Sequence, residues 1–323
     1  MPAGKMLRAG APRAICLAVG LWMGAAAAAA PPSVGACGPD KLGVSRTLSL
    51  NTQGGFEAGL KTYPRTLALA DHEIVLTFDD GPASGSTAKV LDALAAECVK
   101  ATFFLIGRNA QSLPRLVRRE IAEGHSVAHH TFSHPAATLR RLSEAAAKAD
   151  IDRGFAADDK AAYGAPGAEP RVKFFRFPGF ADTPELDAWL ASRNIAIFGA
   201  DVWASDWLPM SPKDELALIL SRLEQTKGGI LLMHDIKAQT AAMLPDLLRE
   251  LKQRGFHIVH IQQGDDPPPL RAAPSGWTSE TEKIISQIFS QESAQKSRGA
   301  AGKGGAEKAA IPQIPEGSGA ARP

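Results

Sequence analysis

Ile74-Val75-Leu76-Thr77-Phe78-Asp79-Asp80-Gly81-Pro82 is an apolar run of strand length that ends on two adjacent carboxylates and a Gly-Pro turn. Neighbouring carboxylates repel unless something positive compensates them. A turn or a helix cap explains one such Asp well and a pair poorly. Downstream, Ser84 to Cys98 carries Val90, Leu91, Leu94 and Cys98 at helical spacing. The same alternation then repeats. Ala101–Ile106, Ser126–Ala128, Phe174–Phe177, Ile195–Ala200, Gly229–Met233 and Ile258–Ile261 read as further strands. Between them lie helices at Leu113–Glu123, stopped by Gly124, and at Leu139–Phe155. Others start at Thr183-Pro184 and Ser211-Pro212, and one covers Leu244–Gln253 before Gly255.

Seven strands alternating with helices predict an α/β fold with a parallel sheet, open or closed into a barrel. The polar residues favour closure. Asp79 and Asp80 end the first strand, His130 and His134 follow the third, Arg176 ends the fourth, Asp201 closes the fifth and His234 ends the sixth. Groups at the carboxyl ends of many strands converge in a barrel, whereas in an open sheet they spread along an edge.

His130-Thr131-Phe132-Ser133-His134-Pro135 places two imidazoles four residues apart. On a helical turn they would face one side and share a metal. With one carboxylate they would leave a tetrahedral ion a free position, as catalytic sites do. His72, His125, His257 and His260 read as surface or core histidines, and His129 points away from the pair along its strand.

Five blocks together resemble the ordered motifs of the polysaccharide deacetylase family, carbohydrate esterase family four, which includes chitin, peptidoglycan and nodulation-factor deacetylases. They are Thr77 to Pro82, His130 to Pro135, Arg176-Phe177-Pro178, Asp206-Trp207, and Leu231-Leu232-Met233-His234. The resemblance spans Ile74 to Ile261. It implies a distorted (β/α)7-type barrel with the active site at the strand C-terminal ends. It also implies a hydrolase that removes N-acetyl groups from an N-acetylglucosamine-containing polysaccharide or oligosaccharide. Asp80, His130 and His134 would hold one divalent metal, zinc first, with cobalt, nickel and manganese as alternatives. Asp79 would be the base that takes a proton from the attacking water, held by Arg176. His234 would be the acid, tuned by Asp206. Trp207 and Leu231 would wall the acetyl pocket, and a backbone N–H after Arg176 would help hold the oxyanion.

The resemblance has two departures. The third motif, usually Pro-Tyr-Gly, is Pro178-Gly179-Phe180, so the N–H would come from Gly179. Trp203 stands where the family usually carries an Asp, so Trp203 and Trp207 are candidates to stack on a sugar. The rival readings are an acetyl-ester or small cyclic-amide hydrolase on the same centre, and a non-catalytic carbohydrate-binding barrel. Asp79 and His234, the two groups a degenerate enzyme would lose, are both in place.

Residues 1–30 read as a signal peptide, with Lys5, Arg8 and Arg13 ahead of an Ala-rich apolar run from Ala14 through Ala30. The run is weaker than a spanning helix of about 20 strongly apolar residues. Export to a periplasmic or extracellular location follows. Val34-Gly35-Ala36-Cys37 also has the form of a lipid-anchoring signal. Cys37 and Cys98 are then a candidate disulfide in an oxidising compartment. The formal net charge is +2, and the leader's basic residues supply it, so nucleic acid is excluded as a partner. The expected partner is the glycan alone, with the protein a monomer. Residues 31–73 form a lead-in, 74–264 the catalytic barrel, and 265–323 a Pro/Gly/Ala-rich, largely disordered tail.

Overall fold

A computed structural model describes residues 38–135 and 138–301, with Met1. The chain divides into residues 1–35 and 36–323, and the second unit is the one described. The leader read at 1–30, the Cys37 signal and residues 302–323 lie outside the described residues.

Three short strands come first: β1 (Arg46–Leu50), β2 (Glu57–Ala58) and β3 (Arg65–Leu67). The repeating part follows as β4 (Glu73–Asp79), α1 (Ser86–Ala96), β5 (Thr102–Leu105), α2 (Gly107–Ser112), α3 (Pro114–Ala122) and β6 (Ser126–His129). It continues with α4 (Glu144–Tyr163), β7 (Phe174–Phe175), α5 (Pro184–Ser192), β8 (Ala196–Phe198), β9 (Val202–Trp203) and α6 (Pro212–Thr226). The last elements are β10 (Gly228–His234), α7 (Ala238–Gln253), β11 (His257–Gln263), β12 (Leu270–Ala272) and α8 (Glu280–Ala301).

The parallel pairs run from β4 through β5, β6 and β7 to β8. The circuit returns through β9 and β10 to β4. Because β8 and β9 are consecutive pieces of residues 196–203, one stretch touches β7 at its start and β10 at its end. This is the expected barrel, distorted at residues 199–201, with β2 added alongside β8 at Ile197 and Phe198. The seventh expected strand, β11, pairs with β4 only at Glu73 and Ile74 and otherwise lies on β1.

Strand alternation sorts the core. Ile74, Leu76, Phe78, Phe103, Leu105, Leu231 and Met233 face outward against α1, α6 and α7 side chains such as Leu94, Leu223 and Leu247. Val75, Phe104, Ala128, Phe174, Phe198 and Ile230 fill the interior. The same interior cluster takes Leu50, Phe56, Ala58 and Leu67 from the lead-in and Val259 and Ile261 from β11.

Several sequence boundaries shift. The helix expected over Leu139–Phe155 is a short 3-10 turn (Leu139–Arg141) followed by α4, because the Ser143 side chain caps the new start by accepting from Ala146 N–H. It ends at Gly164, whose left-handed φ of 87° suits glycine. α7 begins six residues early, at Ala238, and carries Pro245 inside it. The barrel does not start at residue 74 or stop at 264. β12 pairs antiparallel with β3, Trp277 Nε1–H donates to Leu60 O (2.7 Å), and α8 buries Thr281 and Ile285. Residues 265–291 are therefore ordered structure rather than tail. Among the described residues no helix is long and apolar enough to cross a membrane. Cys98 is disulfide-bonded, and both other cysteines, Cys16 and Cys37, lie outside the described residues.

Candidate active site

The parallel register sets Asp79, the last residue of β4, directly beside His234, the last of β10. Both side chains face inward, like Thr77 and Leu232 two residues earlier. Asp80 follows in the left-handed region at φ 74°, which Asp tolerates better than most residues. Its carbonyl accepts from Asn109 Nδ2 (2.8 Å), which ties the turn to α2.

Asp80 Oδ1 lies 3.6 Å from His130 Nε2 and 3.5 Å from His134 Nε2. The three residues form a group able to hold a metal ion, with ligand atoms all within 4.8 Å of one another. His130 Nδ1 is 2.7 Å from the Arg176 carbonyl, which can only accept. The proton therefore sits on Nδ1 and the Nε2 lone pair faces Asp80, the tautomer a ligand needs. Burial, reinforced by His134, pushes His130 down to about 4 against the pull of Asp79 and Asp80, so it is neutral at physiological pH. Burial would raise Asp80, but the combined field of His234, His134, His130 and Lys237 outweighs it and holds the carboxyl below its ordinary value. Asp80 Oδ1 is buried and has no hydrogen-bond partner among the described residues. An orphaned anionic oxygen facing two imidazole nitrogens fits a divalent cation.

The two histidines do not share a helical turn, as their spacing suggested. His130 directly follows β6, and Thr131 (φ 67°) and His134 (φ 46°) fold the loop back. The imidazole centroids end 5.1 Å apart. The loop is clamped from outside: Gly107 N–H donates to Thr131 O, Phe132 N–H to Asp150 O and Ser133 N–H to Asp150 Oδ2. Gly154 on α4 lets that helix approach, since a Cβ there would sit 2.6 Å from the Thr131 carbonyl carbon.

Arg176 is fully buried. It donates to Asp79 Oδ1 (2.6 Å), Thr77 Oγ1 (2.9 Å), Phe198 O (3.1 Å) and Gly199 O (2.8 Å), with its guanidinium 4.2 Å from the Phe104 ring centroid. Asp79 thus has one oxygen fixed, while Oδ2 points to the ligand group, 3.9 Å from His130 Nε2. On the far side His234 Nδ1–H donates to Asp206 Oδ1 (2.7 Å), and the His234 backbone N–H donates to Asp206 Oδ2 (2.7 Å). His234 Nε2 is left 4.0 Å from Asp80 Oδ2. Burial would lower His234, but Asp206, with Asp80 and Asp79 behind it, raises it to about 10.

Two expected wall residues move. Leu231 faces outward into the helix-side core, so it cannot line the pocket. Leu232, not Leu231, faces inward with His234, and it packs with Phe180, Ala200 and Trp203. Period-two alternation counted back from His234 identifies it. Trp203 is core rather than a sugar platform: it is 7% exposed and stacks on Phe180 at 6.1 Å. Trp207 is half-buried, edge-on to His234 with centroids 6.0 Å apart. Gly179 is exposed at φ 59°, on the loop after Arg176. Asp201 is a strut, accepting from Thr66 Oγ1, Leu60 N–H and Ile230 N–H. His129 points outward and bonds Asp158 on α4 (2.8 Å). The sequence reading missed Thr77, Asn109 and Thr240, whose roles appear only as contacts.

Comparison with known proteins agrees with this arrangement. The polysaccharide deacetylase family matches residues 68–192. A peptidoglycan-N-acetylglucosamine deacetylase of Listeria monocytogenes is 34% identical over 61% of this chain, and the match spans 39% of that protein's length. A chitooligosaccharide deacetylase of Sinorhizobium fredii is 33% identical over 63% of this chain and 96% of its own. Among solved structures, the Bdellovibrio bacteriovorus peptidoglycan deacetylase superposes with a TM-score of 0.60 and 30% identity, over 68% of this chain and 59% of that one. With the fold, the motif order and a relative matched over nearly its whole length in agreement, the chain belongs to the polysaccharide deacetylase family.

Proposed function

We propose that this protein hydrolyses the N-acetyl groups of N-acetylglucosamine units in a peptidoglycan- or chitin-type glycan and releases acetate. The observation that carries this reading is the placement of three groups in one row. A carboxylate gripped by arginine (Asp79–Arg176) and an imidazole gripped by a carboxylate (His234–Asp206) flank the Asp80, His130 and His134 oxygen and nitrogens. The names of the relatives agree with an N-acetylglucosamine substrate.

Asp80, His130 and His134 would hold one divalent cation, with zinc the first candidate for two imidazoles and a carboxylate. When bound, that cation supplies Lewis acidity, polarising the acetyl carbonyl and making the attacking water more acidic. Asp79 takes the water's proton on Oδ2, while Arg176 keeps the carboxylate from turning. His234 delivers a proton from Nε2 to the departing nitrogen, and Asp206 fixes the ring through Nδ1. A positioned base and acid each contribute about 10²–10⁴-fold. Trp207 and Leu232 would close the acetyl pocket, with the Gly179 N–H near the oxyanion. Export to the periplasm or cell exterior fits this substrate. The leader composition and the Cys98 disulfide support it.

The test is acetate release by zinc-loaded protein from N-acetylglucosamine oligomers against acetylated xylan. Release from the oligomers is expected. Release from acetylated xylan alone would assign the site to esters instead.

A further inference from the structure

Behind His234 the hydrogen bonds continue past the Asp206 carboxylate. Thr240 on α7 is fully buried, and its Oγ1 lies 2.8 Å from Asp206 Oδ2 and 2.8 Å from Glu215 Oε1. A hydroxyl donates one proton only, so it cannot donate to two carboxylates at once. Asp206 already accepts two N–H bonds from His234, which identifies it as the ionised acceptor. Glu215 on α6 is fully buried, and its Oε2 has no hydrogen-bond partner among the described residues. A buried carboxylate with an empty oxygen is costly, whereas a carboxylic acid in that place is not.

We propose that Glu215 is a neutral acid that donates through Oε1–H to Thr240, that Thr240 donates in turn to Asp206 Oδ2, and that this chain positions the His234 acid. The proposal rests on the acid role given to His234 above and deepens it. Each proton is then accounted for. The Glu215 proton sits on Oε1, the Thr240 proton points to Asp206, and Asp206 receives three hydrogen bonds. Glu215 and Thr240 touch no reacting atom, so they are positioning residues.

The surroundings of Glu215 agree. α6 packs against α7, β9 and β10. From these sides the charged groups acting on Glu215 are Asp206, after β9, and His234, at the end of β10; α7 presents the neutral Thr240. Two turns along α6, Arg222 is directed to Trp203 O and Ser205 Oγ. Burial, with Asp206 adding to it, pushes Glu215 up to about 7 against the Thr240 hydrogen bond and His234. Below that pH the chain is intact. Above it, an ionised Glu215 competes with Asp206 for the one Thr240 proton.

The experiment compares Thr240→Val, Thr240→Ser and Glu215→Gln in the zinc-loaded full chain. Thr240→Val removes the link and is expected to lower kcat on an N-acetylglucosamine oligomer about tenfold, with KM and bound metal unchanged. Thr240→Ser should restore most of that loss. Glu215→Gln keeps a donor at every pH, so its kcat/KM relative to the parent should rise from about pH 6 to about pH 9. The His234 ring titration, followed by NMR in the metal-free protein, supplies a readout that does not depend on turnover. It should move in Thr240→Val and stay in place in Thr240→Ser. A stationary His234 titration in Thr240→Val, or equal losses in Val and Ser, would overturn the proposal. A parent protein that releases no acetate, with the His234 titration still moving in Thr240→Val, would overturn the functional reading and leave the chain of hydrogen bonds standing.

Discussion

Asp79 and Asp80 are neighbours with opposite surroundings. Asp79 Oδ1 is gripped by a buried guanidinium, while Asp80 Oδ1 has only imidazole nitrogens near it. Asp79→Asn should therefore keep the bound metal and lose about 10²–10⁴-fold in kcat; joint loss of metal and activity, measured by elemental analysis, would reverse the two roles. His234→Ala should damage hydrolysis of an N-acetyl amide far more than that of an activated aryl acetate, because only the amine needs protonation to leave. Equal losses on both substrates would end the acid assignment. His234 also links stability to pH. Its folded value of about 10 lies above the ordinary 6.5, so the stabilisation is full below about 6.5 and disappears as pH rises through about 10. The thermal midpoint of metal-free protein should fall across that window, and His234→Ala should flatten the fall. The polar residues of this centre, Asp206 apart, are readable as residue types at or just after strand ends. Their partners are not: Thr77 and Thr240 are ordinary buried threonines until the fold brings Arg176 and Asp206 to them. Leu232 was readable in principle, because alternation from His234 fixes its face and sets Leu231 on the other.

At the scale of elements, α4 holds the histidine loop through Gly154. Alanine normally stabilises a helix interior by about 1 kcal/mol over glycine. Here the added Cβ would meet the Thr131 carbonyl carbon at 2.6 Å. Gly154→Ala should instead lower the thermal midpoint and weaken metal binding, both measurable by calorimetry; a stabilised variant with unchanged affinity would show that the helix does not set the loop. The strands β4, β5, β6, β8 and β10 were legible because their apolar runs are short and bounded by turns. α2 was not, because its six residues Gly107–Ser112 carry no amphipathic repeat. The start of α4 was set by a single cap, Ser143, inside what read as one continuous pattern.

For the whole molecule, the barrel is completed from outside its repeating part. Leu50, Phe56 and Leu67 enter its interior, Ile284 of α8 covers its flank beside Trp203, and Ile285 of the same helix is buried. Composition hides both segments, since the lead-in strands are very short and α8 opens onto the Ser-, Ala- and Gly-rich end of the chain. Burying an Ile side chain fully is worth about 1.5–3 kcal/mol. Truncation after Gly264 should therefore lower the thermal midpoint by on the order of 5 °C or more, and an unchanged midpoint would place α8 outside the folded unit. The candidate site thus sits in a barrel built partly from segments on either side of its repeating part.

The central claim is that Asp80, His130 and His134 hold a cation on which amide hydrolysis depends, and it is tested by one measurement. Acetate released from an N-acetylglucosamine oligomer is followed in the protein as prepared, after chelation, and after zinc is added back. The account predicts release, its loss on chelation and its recovery with stoichiometric zinc. Release that survives complete removal of metal, or none from the zinc-loaded protein, would contradict it.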